Sequence, residues 1–486
     1  MRQDRPPGTP QTVRPPTPAP VHVPQYAYGW LVYVAGAIIA ILAAIVIYKL
    51  NYTYGQAPHR IIKIAIAVGL FAVVIVKPRA ALYAWILSLP ITGWLPVTGM
   101  TGLNGANVLF LILLTTWILP AVMAKRRVFA DTPLRWPITA YMALLVLSGI
   151  RTAVFPPDAY VGRGLQVMFD LWQRLPAIAV YFVVANIALT ERQIRNLLVG
   201  LPVAATALGV ISVRQFADID PSRRISGGMN SNELGAYFAV CATMLFSQVL
   251  WSRVYRVVQR VIIWMGAALA TVGVFLTKSR GAYVAVVPSF GFLSYFVGKK
   301  ALVAFILVVA TSPLWAPDFV KERVSETTVD SVEAALVGDI TDRLDPTAGV
   351  RLEVWRVVLE AFPRSPLIGF GHGSVPLLTG PKLRRPFSAH SLYFETMSDS
   401  GILGLGVLVW LFLACFRSGR TLLKAAETPL DRGLAVGFLA VTVAIVVTNA
   451  FGQRFAHRAI TGTYFFIAGL VDNRIRFARE AVESKA

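Results

Sequence analysis

Residues 29–48 read GWLVYVAGAIIAILAAIVIY, an apolar run with no charged side chain. At about 1.5 Å of helical rise per residue, it can cross the roughly 30 Å hydrocarbon core of a bilayer. In lipid a backbone amide finds no water to bond. The run and its counterparts, such as VLFLILLTTWIL at 108–119, are therefore helices and not strands. The fold class that follows is an all-α polytopic membrane protein. The whole composition agrees: of 486 residues 56% are apolar and 15% charged, and the mean hydropathy is +0.62.

Counting apolar runs at roughly twenty residues per crossing gives about fourteen membrane helices, in a range of about 12 to 14. Residues 1–28 are proline-rich and polar, and are expected to be a disordered cytoplasmic tail. Helices 1–11 are expected within 29–315, a large extramembrane loop at 316–398, helices 12–14 within 399–472, and a second cytoplasmic tail at 473–486. The first apolar run is too long, and lacks the small-residue cleavage site, to be a secretory signal.

The formal charge is +21, from 46 Lys and Arg against 25 Asp and Glu. With both termini inside, the short cytoplasmic loops receive Lys125, Arg126 and Arg127, then Arg192 and Arg195, then Arg253, Arg256 and Arg260, and later Arg417, Arg420, Lys424 and Arg432. This is the positive-inside pattern, with attraction to anionic membrane lipid. Nucleic acid is not an expected partner, because no basic domain interleaved with aromatics lies outside the membrane. Cys241 and Cys415 sit in apolar runs, where a buried small residue is expected instead of a disulfide or a metal ligand.

The same topology puts Arg163, Arg174, Arg214, Arg223, Arg224, Arg280, Arg351 and Arg356 on the outer side, against the insertion bias. Residues 351–362, RLEVWRVVLEAF, form an amphipathic helix with Arg351 in its first turn and Trp355 one turn on. PLIGFGHGS at 366–374 is a glycine turn, in which Gly369, Gly371 and Gly373 permit sharp bends or close approach and His372 reads as a turn residue. Lys382, Arg384 and Arg385 form a basic patch that could anchor the loop or hold an anionic head group.

His390 opens AHSLYFETMSDSGILG (389–404) at a helix N-terminus, which disfavours imidazolium and leaves a neutral ring suited to general base work. Glu395 falls too far round that helix to pair with it directly. Upstream, TKSRGAYVAVV (277–287) sets Lys278, Ser279 and Arg280 at a hairpin between two helices. RRISGGMNSNELGAY (223–237) sets Arg223 and Arg224 before another helix on the same face. Guanidinium forks bind phosphate oxygens bidentately, so this distribution suits a pyrophosphate near the bilayer surface.

The order SRGAY, then RLEVWR with PLIGFGHGS, then AHS followed by SGILG resembles the O-antigen ligase and O-antigen polymerase family of bacterial envelope glycosyltransferases. The resemblance implies a GT-C-like membrane fold in the bacterial inner membrane, with the large loop periplasmic. It implies a metal-independent, inverting enzyme with no cofactor, which moves a glycan from undecaprenyl pyrophosphate to an acceptor hydroxyl. The acceptor is lipid A core for a ligase, or a second lipid-linked glycan for an O-antigen or exopolysaccharide polymerase; the His-Ser loop matches the ligases better. By the same resemblance, His390 acts on the acceptor and Arg280 and Arg351 hold the pyrophosphate. Arg224 belongs with those two, while Trp355, Ser391, Gly371, Lys278 and Arg223 would support the site. A lipid or polysaccharide transporter is the alternative of another class, but no internal repeat and no intramembrane acidic pair favours it.

Overall fold

The computed structural model describes residues 80–91, 105–125, 127–154, 164–218, 224–227, 229–325 and 346–483. The expected N-terminal tail, the first two expected crossings, Arg163, Arg223 and most of the polar stretch 321–345 lie outside the described residues.

The described chain is helical, with no strand among the described residues. Its helices are α1 (Ala80–Ser88), α2 (Gly105–Met123), α3 (Arg135–Val154), α4 (Gly164–Asn186), α5 (Glu191–Asp218), α6 (Ser231–Leu250), α7 (Val257–Leu276) and α8 (Arg280–Val297). They continue with α9 (Lys299–Ala310), α10 (Ser312–Trp315), α11 (Asp318–Ser325), α12 (Pro346–Ala361) and α13 (Val375–Leu383). The C-terminal part is built from α14 (Leu392–Ala425), α15 (Pro429–Ala450) and α16 (Arg458–Glu483). Seven helices are long and apolar enough to cross a membrane, namely α3, α4 from Val167, α5, α6, α7, α14 and α15. That is a polytopic membrane protein.

Two stretches differ from their sequence reading. Where a crossing was expected at 301–315, α9 has 12 residues, about 18 Å of helix, and stops at Thr311 ahead of Pro313. Conversely, the crossing expected to start at 399 begins at Leu392 and is interrupted at Gly401, whose φ of 63° and ψ of −154° are not helical.

α6 and α15 form the centre of the bundle. They pack on each other, α6 against α7 and α15 against both α8 and α14. Both are buried along almost their whole length, which is why they are apolar all round instead of amphipathic. α5 lies on α7 at close range, since a Cβ at Gly266 would come within 2.5 Å of the Pro202 side chain. Small residues at helix crossings are the usual means of close packing in lipid. α16 packs on α4 and carries the buried Asp472, which accepts from Tyr181 Oη at 2.6 Å, Leu134 N at 2.9 Å and the Ser418 hydroxyl. Arg474 binds Asp431 through two nitrogens, at 2.5 and 2.8 Å, and so ties the start of α15 to α16. Cys241 and Cys415 are buried and unpaired.

Chain direction alone then gathers one set of termini. The N-termini of α6, α8, α14 and α16 and the C-termini of α7 and α15 lie at one end of the bundle. Arg253 and Arg256, between α6 and α7, lie at the other, with Arg417 near the end of α14 and Arg432 in the first turn of α15.

Candidate functional site

At that end the expected residues come together. Arg224 precedes α6, donates from Nη2 to Asn232 Oδ1 at 2.7 Å and from Nε to the Thr277 carbonyl at 3.2 Å. These bonds lock it between the α6 N-terminus and the α7–α8 turn. Asn232 is itself held there, because Asn230 caps α6 and forms a reciprocal capping box with Glu233. Ser279 Oγ shares Asn232 Oδ1 at 3.3 Å. Arg323, on α11, donates to the Lys278 carbonyl at 3.3 Å, and Lys278 lies over the Phe319 ring.

The electrostatics define the cluster. Burial, reinforced by the charges of Arg323, Arg280 and Arg351, pushes Arg224 down to about 10, still protonated at neutral pH. Arg454, in the turn between α15 and α16, is 4% exposed; burial, then Arg351 and Arg224, take it to about 10 against the opposing pull of Glu233. Its Nε has no hydrogen-bond partner. Glu233 and the Phe451 carbonyl, 3.2 Å from Nη2, offset this buried guanidinium in part, and an anion entering this space would offset it further. Glu233 also stands 3.5 Å from His457 Nε2; burial first, then Arg454 and Arg458, hold that imidazole below the usual histidine range.

His390 stands beside these arginines. Its ring is exposed to solvent on one side, yet partial desolvation, then Arg351 and Arg454, lower its pKa, with Glu233 acting the other way. It is neutral at physiological pH and can accept a proton. Its backbone has φ of 47°, left-handed for a residue with a Cβ. Trp355 holds the preceding residue: Nε1 donates to the Ala389 carbonyl at 2.8 Å while the indole stacks on Phe394, centroids 4.7 Å apart. Ala389 is buried with Val354, Val358 and Val375, so α12 and α13 form a small core against which the His390 loop is set. Ser391 is buried as the N-cap of α14, and its hydroxyl makes no capping bond.

The glycine turn does something else. Phe370 N and Gly371 N donate to the Ser398 and Asp399 carbonyls at 2.7 and 3.0 Å, and Ile402 N and Leu403 N donate to the Pro366 and Leu367 carbonyls at 2.8 and 3.2 Å. The backbone bonds broken at Gly401 are thus remade with the turn, residue against residue. Asp399 caps α13, accepting from Gly373 N and Ser374 N at 3.1 Å each and from the Ser374 hydroxyl at 2.9 Å. His372 is buried 3.5 Å from the same carboxylate. Gly371 approaches Thr152 and not the arginines. The close approach that these glycines permit is to the chain's own helix.

Several outer arginines are engaged elsewhere. Arg214 faces Asp218, both highly exposed. Arg356 and Lys382 share Glu360, so Lys382 of the basic patch braces α13 against α12. Arg174 joins Tyr141, His372, Glu395, Asp399 and Ser400 around a small, partly open pocket that includes neither His390 nor the arginine cluster. Among the described residues no group of three or more His, Cys, Asp or Glu side chains is placed to hold a metal ion.

Sequence reading missed Arg323, Arg454 and His457. Arg323 hides in a polar stretch. Arg454 and His457 sit in GQRFAHR (452–458), whose charge between two apolar runs was a usable signal.

No curated protein matches the chain. A family model does, and it covers Lys278, Arg280, Arg351, Trp355, Gly371, His390 and Ser391 while leaving out Arg224, Glu233 and Arg454. That model describes the O-antigen ligases, and its match to residues 265–409 supports assigning the chain to that family.

Proposed function

We propose that the protein is a glycosyltransferase that moves a glycan from undecaprenyl pyrophosphate to an acceptor hydroxyl at the periplasmic face, as a ligase onto lipid A core. The observation that carries this reading is the convergence of Arg224, Arg280, Arg323, Arg351 and Arg454 on one end of the bundle, with His390 beside them. A pyrophosphate diester supplies the negative charge that this cluster calls for, and its prenyl chain suits the apolar helices below.

The orientation proposed puts residues 316–398 in the periplasm and both termini in the cytoplasm. In the reaction, His390 takes the proton from the acceptor hydroxyl as its oxygen attacks the anomeric carbon. The bond from that carbon to the pyrophosphate breaks, and the electron pair leaves on undecaprenyl pyrophosphate, stabilised by Arg280, Arg351 and Arg224. A single in-line displacement inverts the anomeric centre. Neither a metal nor a cofactor is required by this sequence of steps.

The test is purified protein in liposomes with lipid-linked glycan and either lipid A core or a second lipid-linked glycan. Transfer to lipid A core, abolished by His390→Ala at normal protein level, supports the ligase reading. Elongated lipid-linked glycan instead would identify a polymerase. Absence of both products beside an active family member would sink the enzyme reading and leave transport as the surviving one.

A further inference from the structure

The turn between α15 and α16 lies outside the matched residues, yet it reaches the His390 loop directly. Gln453 Nε2 donates to Ser388 Oγ at 3.0 Å and also to Glu395 Oε2. Ser388 Oγ accepts in addition the backbone N–H of His390, at 3.3 Å. A hydroxyl oxygen has two acceptor sites, and here both are used.

His390 needs such help. A side chain in the left-handed region is strained and persists only where its surroundings over-determine it. One side of the loop is held by Trp355 Nε1 on the Ala389 carbonyl and by the buried Ala389 methyl. Gln453, through Ser388, holds the other. The buried Glu395 accepts from the same NH₂ group as Ser388, and the two bonds together set which way the Gln453 amide faces. Tyr393 adds a second tie to the same region, with its hydroxyl on the Val446 carbonyl at 2.7 Å.

We propose that Gln453 is a positioning residue: with Glu395 orienting its amide, it sets Ser388 and so fixes the backbone that aims His390. Through the same turn it joins the proton acceptor to Arg454. The inference rests on the reading of His390 as the acceptor's base.

Steady-state glycan transfer would be measured in liposomes for Gln453→Ala, Ser388→Ala, the double variant and His390→Ala, with donor and acceptor varied separately. Misplacing a reacting group by about 1 Å costs on the order of 100-fold. Each single variant should therefore lose about 10- to 100-fold in kcat, while the donor KM stays near that of the unmodified protein. Because both act through one contact, the double variant should lose no more than the worse single. Ser388→Ala removes only one oxygen from a half-buried site, so it carries the test if Gln453→Ala fails to fold.

Gln453→Glu gives an independent readout. Two carboxylates would then face each other, and activity should recover as pH falls and a proton is shared between them. Multiplicative losses, a donor KM that rises as kcat falls, or full activity in both single variants would overturn the inference. If His390→Ala is inactive while Gln453→Ala is unaffected, only the positioning role is lost; if His390→Ala remains active, the reading of His390 itself fails.

Discussion

Trp355 Nε1 lies 2.8 Å from the carbonyl oxygen of Ala389, so the helix that carries Arg351 is fastened to the residue just before His390. The arginine and the histidine proposed to bind phosphate and to accept the proton are thereby carried by segments bonded to each other. Thirty-four positions separate the two bonded residues, and no local rule connects them.

Trp355→Phe keeps the ring stacked on Phe394 but removes the indole donor. The Ala389 carbonyl is then unpaired in a buried setting, at a cost of about 1–3 kcal/mol. Glycan transfer should fall by about 10-fold, with the donor KM little changed. Equal activity in the two proteins would show that the stacking alone holds the loop.

Arg280→Lys and Arg351→Lys retain charge and lose the planar fork. If each guanidinium makes a charge-assisted pair with pyrophosphate, transfer should drop by about 10- to 100-fold, corresponding to roughly 1.5–3 kcal/mol. The effect should fall on kcat/KM for the donor. Arg454→Lys is expected to behave likewise. Titrations of donor concentration check this, and full activity in all three would reduce these residues to charge anchors.

The pH dependence follows from the direction of the His390 shift. Its pKa is lowered by desolvation, by Arg351 and by Arg454, so the neutral, proton-accepting ring persists below the ordinary histidine range. The acid limb of kcat/KM should lie below about pH 6.5. Arg351→Gln removes one lowering charge and should move that limb to higher pH. A pH profile of this variant that moved downward, or not at all, would contradict the assignment of the limb to His390.

Gly369→Ala and Gly401→Ala test the mended break in α14. Both glycines have φ near 60°, at 62° and 63°, and an added Cβ would meet backbone atoms of the partner segment within 2.5 Å or about that distance. Each substitution should destabilise the protein by about 1–3 kcal/mol, from strain and overpacking together. Thermal unfolding in detergent would show this. Gly380→Ala, where nothing lies within 4 Å of the added atom, is the matched control and should be neutral.

Much of this was legible in the residues. The apolar runs fixed helices, because lipid leaves a backbone no other way to satisfy its amides. Arg280 stood out because charge on the translocated side goes against insertion bias, and His390 because it opens a helix. The glycine turn was recognisable as a turn, but its partner was not. Gly401 gives no sign in the sequence that the helix opens there and bonds to residues 366–371.

The sequence by itself determined an all-helical membrane protein, a set of arginines that its positive-inside reading does not account for, and a histidine at a helix start. These depend on period, length and charge, which are local properties of the chain. Only the tertiary structure decided that Arg454 and Arg323 join Arg224, that Arg356 and Lys382 are spent on Glu360, and that Gln453 reaches Ser388. Such pairings depend on how helix termini distant in sequence come to share one end of the bundle, and that is set by packing around α6 and α15 and not by any single segment.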